Sequence, residues 1–278
     1  MQHLAATLPT DEQWHIAGTV RSAKAREQLS DNAWDVHLFD GSSPLENAAE
    51  LLKGTTHLIA SAPPSESGDP VLRHHANEIA DLECLGWMGY LSTTGVYGDC
   101  RGDWVDETSA RSPSGPRGQK RVDAENGWLE LWHDMKVPVH LFRLAGIYGP
   151  GRSALDTVRQ GRARRLIKKD QVFSRIHVDD IATVLRASMN APQPGCAYNL
   201  CDDEPAPPQN VITEACRLLG VDPPPETPFE EAELSDMARS FYRDNKRVSN
   251  ERIKNELGVV LTWPNYREGL KGLISATA

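Results

Sequence analysis

The feature that most constrains this chain is an alternation. Short apolar runs with the two-residue period of strands are separated by stretches long enough for helices. Strand-like runs fall at His15 to Arg21, Val36 to Phe39, His57 to Ala60, Trp87 to Ser92, Val139 to Leu144 and Ala197 to Leu200. Helical patterns lie between them at Ala23 to Leu29, Pro44 to Leu52, Val71 to Cys84, Lys120 to Trp132 and Ser153 to Arg165. Neighbouring parallel strands need a crossover of about a dozen residues, whereas antiparallel ones do not. The ordering therefore predicts βαβ units and a largely parallel sheet covered by helices, an α/β fold.

Length and charge narrow the function classes. With 278 residues, 39% of them apolar, the chain can bury one large core, alone or with a small added lobe. A net charge of −9 argues against general affinity for nucleic acid or an anionic membrane, because phosphate repels an acidic surface. Any anion site must then be a local basic patch. Five cysteines, Cys84, Cys100, Cys196, Cys201 and Cys216, form no CxxC pair. They indicate neither zinc nor a disulfide framework and read as reduced, mostly buried thiols. No apolar run approaches the ~20 residues that span a bilayer, and the opening MQHLAATLPTDEQW lacks the pattern of a secretion signal. These features predict a cytoplasmic protein.

Composition changes near Gly151, where a basic segment leads into a His-Val-Asp-Asp stretch and two proline-rich breaks, at Pro205 to Pro208 and Pro223 to Pro228. Residues 1–150 are expected to form one domain. Residues 151–278 are expected to form a mixed region, a small lobe plus the remaining sheet elements.

Three blocks in order carry a family resemblance: Leu91-Ser92-Thr93-Thr94-Gly95-Val96-Tyr97-Gly98-Asp99, Phe142 to Gly151 (FRLAGIYGPG) and Arg175-Ile176-His177-Val178-Asp179-Asp180-Ile181-Ala182. Together they resemble the NAD(P)-dependent epimerase/dehydratase branch of the extended short-chain dehydrogenase/reductases. Asp244 to Asn250 (DNKRVSN) and Tyr266 to Leu270 (YREGL) resemble an atypical subgroup of that family with no settled reaction. The resemblance implies a Rossmann-type, doubly wound sheet with a C-terminal substrate lobe, a nicotinamide dinucleotide, a small-molecule substrate and no metal. It also implies pairing of two copies through the helices at Val71 to Cys84 and Lys120 to Trp132.

By the same resemblance, cofactor contacts are expected from Arg21, Ser22, Asp40, Ala62, Pro63, Thr93, Arg121, Leu144 and Gly146. Arg21 and Ser22 close the first strand-like run, where an Arg suits a ribose 2′-phosphate; they point to NADP over NAD, with an exposed strand-end Arg as the alternative. The Ser61 to Pro64 turn is implied to touch the dinucleotide, a plain proline-rich loop being the other reading.

The sequence departs from the family at two places. The G-x-G-x-x-G turn that lets a backbone approach pyrophosphate is absent, and Gln2 to Leu8 resemble the later part of the helix that follows such a turn. The expectation is a chain that starts inside the motif, as an internal start or truncated gene would produce, with weaker pyrophosphate affinity and unpaired strand edges. The second departure is chemical. Family members use a Ser/Thr, a Tyr and a Lys for proton transfer; Thr93 takes the first place, but Arg117 and Arg121 stand at the other two. A guanidinium stays charged and cannot serve as a proton donor at neutral pH. Thr93, Arg117 and Arg121 are thus the catalytic-site candidates, with Arg121 holding the nicotinamide ribose, Lys120 ranked behind it, and Arg117 binding a substrate anion. A non-catalytic NADP-binding sensor or scaffold is the rival reading.

Tyr97 and Tyr148 read as packing aromatics, and His177 as structural beside helix-capping Asp179 and Asp180. The run Arg152, Arg159, Arg162, Arg164, Arg165, Lys168, Lys169 reads first as a solvated helix face and second as a contact for an anionic substrate.

Overall fold

A strand buried at every position needs a sheet covered on both faces, and Val139–Leu144 is such a strand. The computed structural model describes residues 2–8, 14–29 and 34–275; part of the opening segment considered above, residues 9–13, lies outside these. In chain order the strands are β1 (Ala17–Val20), β2 (Asp35–Leu38), β3 (His57–Ala60), β4 (Trp87–Thr93), β5 (Trp104–Val105), β6 (Val139–Leu144), β7 (Gly146–Tyr148), β8 (Arg165–Ile167), β9 (Arg175–His177), β10 (Ala197–Leu200), β11 (Glu226–Pro228) and β12 (Arg247–Val248). The helices are α1 (Gln2–Ala5), α2 (Ala23–Glu27), α3 (Ala48–Leu52), α4 (Pro70–Ala80), α5 (Pro116–Met135), α6 (Ala154–Arg159), α7 (Val178–Asn190), α8 (Pro208–Leu219), α9 (Asp236–Phe241), α10 (Glu251–Leu257) and α11 (Tyr266–Ser275).

The main sheet runs β10-β6-β4-β3, all parallel, and β1 pairs with β2 in a second parallel ladder. Among the described residues no strand bonds to both β1 and β3. Side chains alternate across the sheet as the pleat requires. Met88, Tyr90, Val139 and Leu141 pack with Ile79, Trp128 and Leu131 of α4 and α5. Trp87, Phe142, Leu144, Tyr198 and Leu200 face the other way, onto Leu4, Ile181, Leu185 and Ile253 of α1, α7 and α10. This is the expected α/β doubly wound layering. A smaller core of Leu155, Ala206, Val211, Ala215, Tyr266 and Leu270 holds the C-terminal lobe, where β8 pairs with β11.

Polar groups lock the layers. Glu125 on α5 is wholly buried and accepts from Ser92 Oγ on β4 (2.6 Å) and from Arg143 Nε and Nη2 on β6 (3.1 and 2.9 Å). Arg111 adds a third cationic contact at 3.1 Å. Arg143 Nη1 donates to Tyr97 Oη, which donates to Asn199 Oδ1 on β10 (2.9 and 2.7 Å). Burial works against the charged guanidinium, but Glu125 and Tyr97 hold Arg143 above its ordinary range. Burial pushes the Tyr97 phenol up to about 12. Tyr97 is thus a committed structural group.

Several local expectations need correction. The basic run is not one helix face: α6 ends at Arg159, and Arg165 lies on β8, bonded to the lobe segment that carries Glu226. His177 is itself the N-cap of α7, its Nδ1 accepting from Asp179 N, while Asp180 accepts from Thr262 N and Trp263 N. Helix α5 begins four residues earlier than its apolar pattern suggested, because Pro116 stands at its first turn, a position that needs no N–H donor. Of the five thiols, Cys201 and Cys216 are buried and Cys84 is exposed.

Two outcomes follow for stability. Arg143→Met leaves the buried Glu125 carboxylate with Arg111 as its one cationic partner among the described residues and is expected to cost up to about 3–5 kcal/mol in urea unfolding, most of it recovered when Glu125→Leu is added. His140, buried on β6, accepts from Gln193 N and faces Met88 O, and burial pushes its pKa down to about 4 from 6.5. The unfolded chain therefore takes up the proton first as pH falls. The melting temperature should drop between pH 6.5 and 4 with a slope that His140→Gln reduces.

Candidate active site

The parallel strands end on one side, and in open α/β sheets ligands bind in the crevice beyond those carboxyl ends. A cleft of about 1290 Å³ opens there, lined by Ser61 after β3, Ser92 and Thr93 at the end of β4, and Leu144 to Gly146 after β6. The first turns of α5 form its next wall, and the lobe segment 238–244, which includes the end of α9, forms the opposite one.

Thr93 ends β4 and caps the following 3-10 turn, its Oγ1 accepting from Gly95 N at 3.1 Å. The start of α5 approaches this turn so closely that a Cβ on Gly118 would lie 2.9 Å from Gly95 O and 2.6 Å from Pro113 Cβ. Only glycine allows the contact. Gly98, at φ +70°, closes the same turn, and a Cβ there would meet Ser112 O. The hydroxyl turn and the α5 N-terminus are thereby held as one unit.

Arg117, Arg121 and Glu125 recur every four residues on α5, so they share a face. Glu125 is anchored in the sheet, and the two arginines extend along the cleft wall. Arg121 Nη1 donates to Tyr90 Oη (2.9 Å) and Leu91 O (2.8 Å), with its Cζ 5.7 Å from the Tyr90 ring centroid. Its Nε and Nη2 have no partner among the described residues. Arg117 is exposed and lies 5.6 Å over the Phe241 ring, bridging the cleft to the lobe. Lys120 points elsewhere, paired with Glu66.

Thr93, Arg117, Arg121, Leu144 and Gly146 thus share one cleft. Arg21, Ser22, Asp40, Ala62 and Pro63 do not line it. Arg21 and Ser22 follow the carboxyl end of β1, where Ser22 Oγ caps α2; Asp40 follows β2, its carboxyl held below the usual range by the Ser42 hydroxyl and N–H. Tyr148 lines the cleft, but its hydroxyl is buried toward Gly269, where a Cβ would lie within 2.1 Å. Burial raises this phenol above its ordinary range.

The cleft is cationic within an acidic chain. Eight basic side chains line it, Arg152, Arg162, Arg164, Arg175, Arg243 and Lys246 joining Arg117 and Arg121, against the carboxylates Asp156 and Asp244. Arg175, Arg243 and Lys246 escaped the sequence reading because they sit on separate elements, and no local pattern brings them together. The signal available was the DNKRVSN segment: Asn245 and Arg247 stitch it to the 98–103 loop, leaving the Lys246 ammonium at the cleft wall, bonded to Gly98 O.

No family model matches the chain. Protein YeeZ of Escherichia coli K12 is 31% identical over 266 residues, covering 91% of this chain and 89% of that protein. The structure of a functionally unknown conserved protein from Silicibacter pomeroyi DSS superposes with a TM-score of 0.87 at 47% identity, over 99% of this chain and 94% of that one. UDP-glucuronic acid 4-epimerase from Bacillus cereus, solved with UDP-glucuronic acid and NAD, shares the fold at a TM-score of 0.76 and 14% identity, over 100% and 96% of the two chains. With 31% identity over nine-tenths of its length, the chain belongs to the family of Protein YeeZ, and it shares its fold with NAD-dependent epimerases and dehydratases.

Proposed function

We propose that this protein binds a nicotinamide dinucleotide, NADP in preference to NAD, and acts as an oxidoreductase or isomerase on a small anionic substrate. The observation that carries the reading is the meeting of Thr93, Arg121 and the Leu144 to Gly146 backbone in one cleft whose charge is the reverse of the chain's. The bound epimerase relative, with NAD and UDP-glucuronic acid, lends support by fold.

The residues fit the nicotinamide end of such a cofactor. Arg121 offers Nε and Nη2 at the wall for ribose hydroxyls, and Gly146 keeps the backbone open where a Cβ would press on Ser174 O at 3.3 Å. Arg21 and Ser22 would take the 2′-phosphate, with Asp40, Ala62 and Pro63 toward the adenosine half. When bound, the cofactor supplies hydride exchange, which no side chain performs.

The chain's own residues do the rest. Thr93 orients a substrate hydroxyl or carbonyl through its O–H, since Gly95 N occupies only its lone pairs. Arg117 cannot donate a proton, so it binds charge. The basic wall draws the anion in, and the lobe excludes water on the far side. One observation favours the alternative, a non-catalytic NADP-binding sensor: the guanidinium at the usual phenol position stacks on Phe241 of the lobe, a contact suited to reporting cleft occupancy.

Fluorescence titration with NADPH and NADH tests the cofactor assignment. Wild type should favour NADPH, Arg21→Asp should lose that preference, and Arg121→Met should weaken both by about tenfold or more, as expected for a lost charge-assisted bond. Binding of neither nucleotide sinks the proposal. Oxidation of NADPH with any nucleotide sugar or ketone, abolished by Thr93→Val, separates enzyme from sensor.

A further inference from the structure

A second cavity, of about 450 Å³, adjoins β12: Lys246 and Val248 line the cleft, whereas Val248 to Glu251 line this cavity. Its other walls are β5 with the following Asp106, Lys254 of α10, and the turn after β10 that carries Asp202 and Asp203. The volume suits a small ligand. Where the cleft is basic, this cavity is acidic. Asp106, Asp202, Asp203 and Glu251 line it against one basic side chain among the described residues, Lys254, whose Nζ is already bonded to Asp203 Oδ1 at 2.7 Å.

The fold leaves two side chains here incomplete. β5 pairs with β12 over two residues, and the pleat sends Val105 into the core and Trp104 outward, 60% exposed. Its indole has no ring or cation partner among the described residues. Asp202 is the converse. It is 1% exposed; its Oδ1 accepts from Glu204 N at 3.3 Å, but its Oδ2 has no hydrogen-bond partner, and the carboxyl joins no ion pair among the described residues. Asp202 lines this cavity and not the cleft. A buried carboxyl with one oxygen open is costly unless a donor completes it. Among the described residues no three His, Cys, Asp or Glu side chains are placed to hold a metal ion, so a bare metal is a poor fit. An indole beside carboxyls matches instead a cation with an apolar skeleton, since the face of the ring attracts positive charge and covers methylene groups.

We propose that this cavity binds a small organic cation, an alkylammonium whose charge is held by Asp202 and the rim carboxylates Asp106 and Glu251 and whose carbon skeleton lies on Trp104. Its N–H groups donate to Asp202 Oδ2 and to the rim, charge-assisted bonds that no side chain of the protein supplies there. Asp203 shapes the wall, its Oδ1 being taken by Asn250 Nδ2 at 2.6 Å and by Lys254. The site uses none of the residues assigned to the cofactor or its substrate, so the two readings stand or fall separately.

Calorimetry of the full chain with 1,4-diaminobutane and, separately, with tetramethylammonium, at ionic strength balanced with sodium chloride, reads the site. Wild type should bind 1,4-diaminobutane at millimolar concentrations and more tightly than tetramethylammonium, which has no N–H to give Asp202. Trp104→Leu should weaken that binding about fivefold or more, as expected for a lost cation–π contact. Asp202→Asn should weaken it about tenfold or more, and Asp222→Asn, which removes an exposed charge outside the cavity, not at all. Should Asp202→Asn fail to fold, Trp104→Leu decides, because its side chain stands largely in solvent; the diamine should also shift the indole emission of wild type and leave that of Trp104→Leu unchanged. No binding of the diamine, tetramethylammonium bound as tightly as the diamine, equal loss in Asp222→Asn, or unchanged affinity in Trp104→Leu or in a folded Asp202→Asn each overturns the proposal.

Discussion

The buried pairing of Glu125 with Arg143 holds this molecule in register. It ties α5 to β6 and, through Ser92 and Tyr97, to β4 and the turn beyond it, while Asn199 extends the chain of bonds to β10. Both charges have left water, so each depends on the other's geometry; removal of Glu125 leaves Arg143 without a carboxylate, and removal of Arg143 leaves Glu125 with Arg111 alone. Helix α5 cannot slide or rotate without breaking it. Because Arg121 and Arg117 lie one and two turns upstream on the same helix face, that internal pair also sets where two cations meet the cleft.

The cleft reverses the charge of its own chain. An acidic surface discourages nucleic acid and anionic membrane, and among the described residues no helix is long and apolar enough to cross a bilayer. The basic side chains converge where low-dielectric walls concentrate their field. The phenols nearby are either committed, as Tyr97 and Tyr90 are, or raised by burial, so proton transfer by an activated tyrosine has no evident agent.

Much of the scaffold was legible in the residues. The six strand-like runs correspond to β1, β2, β3, β4, β6 and β10, since period-two apolar runs bounded by turns leave little freedom. The two- and three-residue ladders of β5, β7, β8, β9, β11 and β12 were not legible. Such short pairs are selected by distant partners, as Arg247 with Trp104 shows. The basic run misled for a related reason: charges at helical spacing resemble a solvated face, but Gly161 at φ +64° ends α6 and redirects Arg162 and Arg164 into the cleft.

The sequence by itself determined the parallel α/β architecture and the acidic balance. These rest on local pattern and residue chemistry, which chain order preserves. Only the tertiary structure decided that Arg175, Arg243 and Lys246 share a cleft with Thr93, Arg117 and Arg121, that Tyr97 and Arg143 join Glu125 in one buried network, and that His177 itself caps α7. Burial and convergence depend on which distant segments pack together, and no local stretch of sequence contains that information.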